Sequence, residues 1–358
     1  MEFPSKRRQT RPVFIGPVKI GGGAPVSVQS MTTTDTRNAR ETIAQIEALV
    51  DAGCEIIRLS VNSREAAEAL PAIKASSPIP LIADIHFDHT LALRSIENGV
   101  DGLRINPGNI GTQQKVHEVV QAAKEKDIPI RIGVNAGSLE KDLLNKYGRT
   151  PRAMVESALR HIQLLEKEGF YQIKVSLKAS DVPRTVMAYR LLSQKVPYPF
   201  HIGITEAGTL FSGTIRSAIG LGILLSEGIG DTLRVSLSAD PVEEIKVAYA
   251  ILRDLGIRRR GIEMISCPTC GRAEIDVIPL AARVEQRLLS VKTPLKVAVM
   301  GCVVNGPGEA QEADVGVAGG KNVGLLFKKG KIIRRLPPED LEEPLIEEVR
   351  ALTGEVIP

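Results

Sequence analysis

Cys267-Pro268-Thr269-Cys270 sets two thiols three positions apart on a turn, and Cys302 follows 32 residues later in Gly301-Cys302-Val303-Val304-Asn305-Gly306-Pro307-Gly308-Glu309. The first spacing lets two thiolates reach one metal centre, and the Gly and Pro residues shape a loop around it. His201 is the last histidine, so no Cys2His2 or Cys3His set closes locally, and no fourth cysteine lies near the group. Three cysteines plus a carboxylate suit an iron–sulfur cluster better than structural zinc, which stays as the alternative. A [4Fe–4S] cube ordinarily takes four thiolates. With three, one iron keeps a weaker oxygen ligand or an open position. Glu309, ending the Gly-Pro-Gly loop, is the carboxylate best placed. The C-x3-C-x2-C spacing of radical-initiating clusters is absent, and Cys54, at the start of a strand, reads as a core residue.

A second set of reactive types lies inside short apolar segments. Arg58 is followed two residues later by Ser60, Arg104 by Asn106, Lys174 by Ser176, and Arg234 by Ser236; Arg131 is followed by Gly133 and then Asn135. Side chains two apart share one face of a strand. Five strands thus each place a cation at similar depth, with a small polar group nearer the C-terminal end. Outward cations paired with helix carboxylates are the alternative, but surface charge seldom falls on five strands in one frame. Converging Arg and Lys suit a ligand with several phosphate oxygens, which Arg grips bidentately. A diphosphate fits; a single carboxylate needs fewer cations. Asp84 and His86 end one segment and Glu206 another, which makes them acid–base candidates at the same mouth. His89, His117 and His161 fall on helical stretches and read as surface or packing residues.

The elements that must position these residues alternate. Eight β-branched segments cover 26–28, 55–59, 80–83, 102–105, 130–134, 172–175, 201–204 and 233–235. Between most of them lies helical i, i+3, i+4 spacing, at 42–52, 66–74, 112–126, 153–168, 184–194 and 242–255. This predicts an α/β fold, a (β/α)8 TIM barrel, in preference to an open doubly wound sheet. An extra loop is expected at 141–149. After Gly261 the pattern changes to a helix at 272–289, strands at 296–300 and 314–317, a hairpin around 328–331 and a helix at 344–352. The division is a substrate-binding barrel over 1–260 and a smaller α+β iron–sulfur domain over 261–358, with a linker at 257–266.

Composition bounds the partners. Hydrophobic residues at 43% and charged residues at 25% of 358 suit a soluble protein with a sizeable core and exclude disorder and coiled coil. Seven Phe, five Tyr, no Trp and a net charge of +4 without a sustained basic run argue against nucleic acid. No apolar run approaches the ~20 residues of a membrane span. Lys6, Arg7, Arg8 and Arg11 precede no apolar h-region, so no secretory signal is read. Four cysteines make no disulfide framework, and a reducing cytoplasm is the expected location.

Taken together, these motifs resemble the bacterial-type 4-hydroxy-3-methylbut-2-enyl diphosphate synthases of the methylerythritol phosphate route to isoprenoids. The carriers are Val28-Gln29-Ser30-Met31-Thr32, Ala83-Asp84-Ile85-His86-Phe87, Leu103-Arg104-Ile105-Asn106-Pro107-Gly108-Asn109 and Arg131-Ile132-Gly133-Val134-Asn135-Ala136-Gly137-Ser138. To these add Ile204-Thr205-Glu206-Ala207-Gly208 and the two cysteine motifs, so the resemblance runs through almost the whole chain. It implies reductive ring opening and dehydration of 2-C-methyl-D-erythritol 2,4-cyclodiphosphate. It also implies a [4Fe–4S] cluster on Cys267, Cys270, Cys302 and Glu309, with Asn305 beside it. Diphosphate binding would fall to Arg58, Arg104, Asn106, Arg131, Asn135, Lys174, Ser176, Arg234 and Ser236. Glu206, Asp84 and His86 match the family's barrel-mouth acid, Asp and His. A flavodoxin or ferredoxin donor is implied, and a homodimer with an active site shared between subunits. Two rivals are a non-redox barrel transferase similar to dihydropteroate synthase, with a structural metal, and a non-catalytic binding module.

Overall fold

The computed structural model describes residues 6–302 and 310–358, and the chain divides into two compact units, Met1–Arg258 and Arg259–Pro358. The first unit opens with a hairpin of β1 (Val13–Ile15) and β2 (Val18–Ile20). Eight strands follow: β3 (Ser27–Met31), β4 (Ile56–Ser60), β5 (Leu81–Asp84), β6 (Gly102–Ile105), β7 (Ile130–Asn135), β8 (Ile173–Lys178), β9 (His201–Ile202) and β10 (Thr232–Leu233). They pair in parallel in the order β8-β7-β6-β5-β4-β3-β10-β9. A parallel bridge between Val175 and Phe200 joins the two ends, where Val175 N donates to Pro199 O at 3.0 Å. The result is the expected (β/α)8 TIM barrel.

Helices return the chain between strands: α1 (Ala39–Ala52), α2 (Arg64–Ser76), α3 (His89–Glu97), α4 (Gln113–Glu125), α5 (Lys141–Tyr147), α6 (Pro151–Lys167), α7 (Val182–Ser193), α8 (Leu210–Ser226) and α9 (Pro241–Asp254). Their starts are written in the sequence. Thr150 accepts from Ala153 N ahead of Pro151, and Asp240 accepts from Val242 N ahead of Pro241. Outward strand residues such as Ile57, Leu59, Leu103, Ile105, Ile132 and Val175 form one core with the helices. The inward faces are polar, except at the floor. There Val13, Ile15 and Ile20 of the hairpin pack on Ile56 and Ile82 and plug the barrel.

The chain before the hairpin is tied down by Asp231, which is 3% exposed. Its carboxylate accepts from Phe200 N at 2.8 Å, Arg7 Nη2 at 3.0 Å and Thr10 Oγ1 at 3.2 Å.

The second unit is a five-stranded sheet of β11 (Ile262–Ser266), β12 (Leu295–Met300), β13 (Val315–Gly320), β14 (Val323–Lys328) and β15 (Lys331–Leu336), in that order. β11 to β13 are parallel, and the last two pairings are antiparallel. Helices α10 (Val277–Leu288) and α11 (Glu342–Thr353) pack Val284, Leu345 and Val349 on Val297, Val299 and Val317. Met300, Ala318, Leu325 and Phe327 form a smaller cluster with Ala310 and Ala313.

Three features differ from the sequence reading. The floor hairpin was not expected, because strands of three residues are too short to show a period. Residues 141–147 form α5 instead of a loop, since Leu143 is buried and Leu144 packs against the core. The expected linker at 257–266 contains β11, whose residues are only half-buried and so carry a weak alternation.

Replacing Asp231 with Ala leaves a buried amide and Arg7 without their acceptor. Urea unfolding should show a loss of about 2–4 kcal/mol, whereas a loss under ~0.5 kcal/mol would mean the strap contributes little.

Candidate functional site

Lateral pairing sets Arg104 opposite Arg131 and Arg131 opposite Lys174, so β6, β7 and β8 carry three cations at one level. Arg58 lies beyond β5, on β4. All four are buried, from Lys174 at 2% exposure to Arg58 at 9%, and so face the barrel interior. Lys178, a further cation, is one layer above Ser176 and 7% exposed. Arg234 follows β10 with its side chain 16% exposed. The close packing needs glycine at two points. A Cβ on Gly133 would stand 2.6 Å from Arg104 Nε, and one on Gly203 would stand 2.7 Å from Lys178 Nζ.

Two buried carboxylates face these six cations. Asp84 accepts from Arg104 Nη1 at 3.0 Å and lies 3.5 Å from Arg58 Nε. Burial pushes its carboxyl up, but Arg58, the His86 hydrogen bond and Arg104 outweigh that and hold it well below the usual carboxylate range. An acid so firmly ionised orients guanidinium groups; it is a poor proton donor. Glu244, reaching in from α9, is the second carboxylate. It is 3% exposed and accepts from Leu237 N at 2.9 Å, Ser30 Oγ at 3.3 Å and Arg234 Nε at 3.3 Å. Met31 Sδ lies 2.9 Å from Arg58 Nη2 and 3.6 Å from Arg234 Nη1, a neutral spacer between the two.

The positive surplus has physical consequences. Burial first, and Arg131 and Arg58 next, push the Lys174 and Lys178 ammonium groups well down. Burial likewise lowers Arg131, with Arg58 and Arg104 adding to it. Arg58 is pushed down to about 10 by burial, although Asp84 opposes the shift. Arg131 Nε and Nη1, Arg104 Nε and Lys174 Nζ are buried without a hydrogen-bond partner among the described residues. Buried unpaired donors of one sign make a receptor for an anion with many oxygens.

The other expected residues fall around this well. Asn106 is buried, and its Oδ1 accepts from Gly108 N at 3.2 Å, capping the turn over 107–109. Ser176 Oγ donates to Ile132 O at 3.5 Å, while Asn135 and Ser236 are half-buried. His86 is half exposed, with Nε2 3.3 Å from Arg104 Nη1. Glu206 is exposed, and its backbone is in the left-handed region at φ 52°. It lies in the loop after β9, and a strained non-glycine residue there fits a functional position. His201 lies at 3.3 Å from Lys178 Nζ, and burial and Lys178 keep its ring neutral. His161 is buried against Glu140 at 3.2 Å, whereas His117 and His89 pair with acids nearer the surface. Sequence reasoning missed Lys178, Met31 and Glu244. Lys178 continues the spacing of Lys174 and Ser176 and was legible; Glu244 sits on a helix and was not.

In the second unit, β11 and β12 pair with Ser266 opposite Val299, so their C-terminal ends lie side by side. Cys267 follows one and Gly301-Cys302 the other. Gly301 N donates to Cys267 Sγ at 3.1 Å, and Glu274 N donates to Gly301 O at 2.8 Å. Cys267 and Cys302 are half-buried and Cys270 is exposed. A hydrogen bond from Arg272 holds the Cys270 thiol below its ordinary value. Among the described residues no three His, Cys, Asp or Glu side chains converge to metal-ligating distance. Asn305 and Glu309 lie outside the described residues. Cys54 is buried in the barrel core, and burial pushes its thiol up to about 12. The soft donor set and an N–H already directed at sulfur fit an iron–sulfur group.

The GcpE TIM-barrel domain matches residues 10–249, and the GcpE protein C-terminal domain matches residues 263–351. The chain is 62% identical over 350 residues to a 4-hydroxy-3-methylbut-2-en-1-yl diphosphate synthase (flavodoxin) of Geobacter sulfurreducens, covering 98% of this chain and 99% of that one. It is 60% identical, with the same coverage, to a protein of that name from Caldanaerobacter subterraneus. The dihydropteroate synthase of Yersinia pestis superposes on 68% of this chain and 98% of its own, with TM-score 0.49 and 12% identity, too slight a likeness to carry an argument.

Glu244→Gln keeps shape but removes the charge that aims Arg234. Calorimetric titration with inorganic pyrophosphate should show binding weakened about tenfold, the ~1.4 kcal/mol of one charge-assisted contact. Unchanged affinity would separate Glu244 from the anion well.

Proposed function

The chain belongs to the GcpE family, and on that premise we propose that it is a 4-hydroxy-3-methylbut-2-en-1-yl diphosphate synthase, an iron–sulfur oxidoreductase of isoprenoid biosynthesis. It takes 2-C-methyl-D-erythritol 2,4-cyclodiphosphate, two electrons and two protons to (E)-4-hydroxy-3-methylbut-2-enyl diphosphate and water. The observation that carries this reading is the set of buried, unpartnered cationic donors of Arg104, Arg131 and Lys174 inside the barrel. A dihydropteroate synthase-like transferase is not favoured, since both GcpE domains and relatives at 60% identity or more point elsewhere.

Cys267, Cys270 and Cys302, with Glu309, would hold the [4Fe–4S] cluster, and Asn305 would lie beside it. When bound, that group supplies single electrons and a Lewis-acidic iron. The protein's own residues do the rest. Arg58, Arg104, Arg131, Lys174, Lys178 and Arg234 bind the diphosphate and stabilise the charge that appears on a phosphate oxygen as the ring opens. Asn106, Asn135, Ser176 and Ser236 add neutral hydrogen bonds at the rim. Asp84 holds Arg58, Arg104 and His86 in place. Glu206 carries a carboxyl proton to the oxygen that departs as water.

A flavodoxin is the proposed electron donor, since the relatives' names specify it, with ferredoxin as the second choice. No described helix is long and apolar enough to cross a membrane. We place the enzyme in the cytoplasm, without nucleic-acid or membrane partners. We read it as a homodimer whose active site is shared between subunits. Phe211, Ile215 and Ile219, exposed at 78%, 44% and 50% along one face of α8, supply an apolar stripe for such contact. The domain division is kept as 1–260 for substrate and 261–358 for the cluster.

Anaerobically purified protein should contain about four each of iron and sulfide per chain and convert the cyclic diphosphate with dithionite. Zinc in place of iron, with no turnover, would sink the assignment. Glu206→Gln should keep the iron content and visible spectrum while lowering turnover ~10²-fold or more; unchanged turnover removes Glu206 from proton transfer. Phe211→Lys should shift the light-scattering mass towards the monomer, and an unshifted dimer would place the contact elsewhere.

A further inference from the structure

Residues 315–338 contain six cations, Lys321, Lys328, Lys329, Lys331, Arg334 and Arg335, and no carboxylate. In the sequence they read only as a hairpin, because glycine and isoleucine separate them. The fold gathers them at β15, an edge strand paired through β14 alone, with five of its six residues exposed. Glu347 and Glu348 of α11 take up Arg334 and Lys328. Lys321, Lys329, Lys331 and Arg335 have no carboxylate at ion-pair distance among the described residues. Ile332 and Ile333 lie between them, 47% and 46% exposed.

Edge lysines are a common guard against strand-to-strand aggregation. A guard gains nothing from two adjacent isoleucines in water, which raise that hazard. Cations around a small apolar centre are what a transient interface with an acidic protein requires. The location also matters. Strand pairing sets Met300, Ala318, Leu325 and Arg335 in one lateral row. Three strand spacings separate Met300 from Arg335, about 14 Å, and Met300 directly precedes Gly301 and Cys302.

We propose that the β15 edge, centred on Lys331, Ile332, Ile333 and Arg335, is the docking surface for an acidic flavin-bearing electron carrier. This rests on the reaction proposed above. Each encounter passes one electron, so the carrier is oxidised and the enzyme reduced by one. Two encounters supply one turnover. Lys331 and Arg335, free of carboxylate partners among the described residues, steer the approach, and the isoleucines give the encounter complex its short lifetime of contact.

The test compares two donors on the same anaerobic holoenzyme carrying Lys331→Glu and Arg335→Glu together. With reduced flavodoxin at low salt, kcat/KM should fall at least ~tenfold, through KM for flavodoxin, and its salt dependence should flatten. With dithionite, which needs no docking surface, turnover should stay within about twofold of the unaltered enzyme. Lys331→Ala with Arg335→Ala should give an intermediate loss. Unchanged flavodoxin kinetics at every salt concentration would overturn the proposal, as would a parallel fall with dithionite. If the unaltered holoenzyme fails to turn over with dithionite, the reaction assignment falls, and this proposal falls with it.

Discussion

Six basic side chains crowd the interior of one barrel, where Asp84 and Glu244 are the carboxylates at ion-pair distance from them among the described residues, and most of the first unit is arranged around that repulsion. Like charges in a poorly solvated space cost several kcal/mol each unless paired. The barrel bears this because its outward layer is continuous hydrocarbon and its floor is sealed by Ile15, Ile20, Ile56 and Ile82. Asp84 settles two arginines at once, and Glu244 settles Arg234 from outside the strand ring. Arg131 and Lys174 above all keep buried donors without a hydrogen-bond partner among the described residues.

The cysteine unit solves a different problem by backbone alone. Parallel pairing of β11 and β12 brings Cys267 and the Gly301-Cys302 segment to one end of the sheet across 34 positions of sequence. Its core needs no charge. Valines under α10 and α11 hold the strands, so the loops bearing sulfur can stay polar and partly open. Each unit thus gathers one kind of side chain: buried cations in the first and thiols in the second.

Strand frame was the most readable property of the chain. Arg58, Arg104, Arg131 and Lys174 each lie two residues from a small polar group or glycine, and a parallel sheet translates that spacing directly into a shared face. Helix bodies were equally plain, although the periodicity begins two of them at 153 and 242, where the caps Thr150 and Asp240 start them at Pro151 and Pro241. β1, β2 and β11 escaped because short or half-buried strands have too few residues to show a period. Glu244 escaped for another reason. Beside Glu243 at the start of α9 it looks like a solvated acidic pair favourable to the helix dipole.

By itself, then, the sequence determined which residues share a face and which stretches alternate as strand and helix. These are properties of short-range geometry, set by a strand's period of two and a helix's of about 3.6. Only the tertiary structure decided that Glu244 passes inward to Arg234, that Met31 separates two guanidinium groups, and that Arg335 shares a row with Met300. Those relations join residues as many as 203 positions apart. No local rule reaches that far, because strand order and helix rotation set them, and both emerge only when the whole core packs.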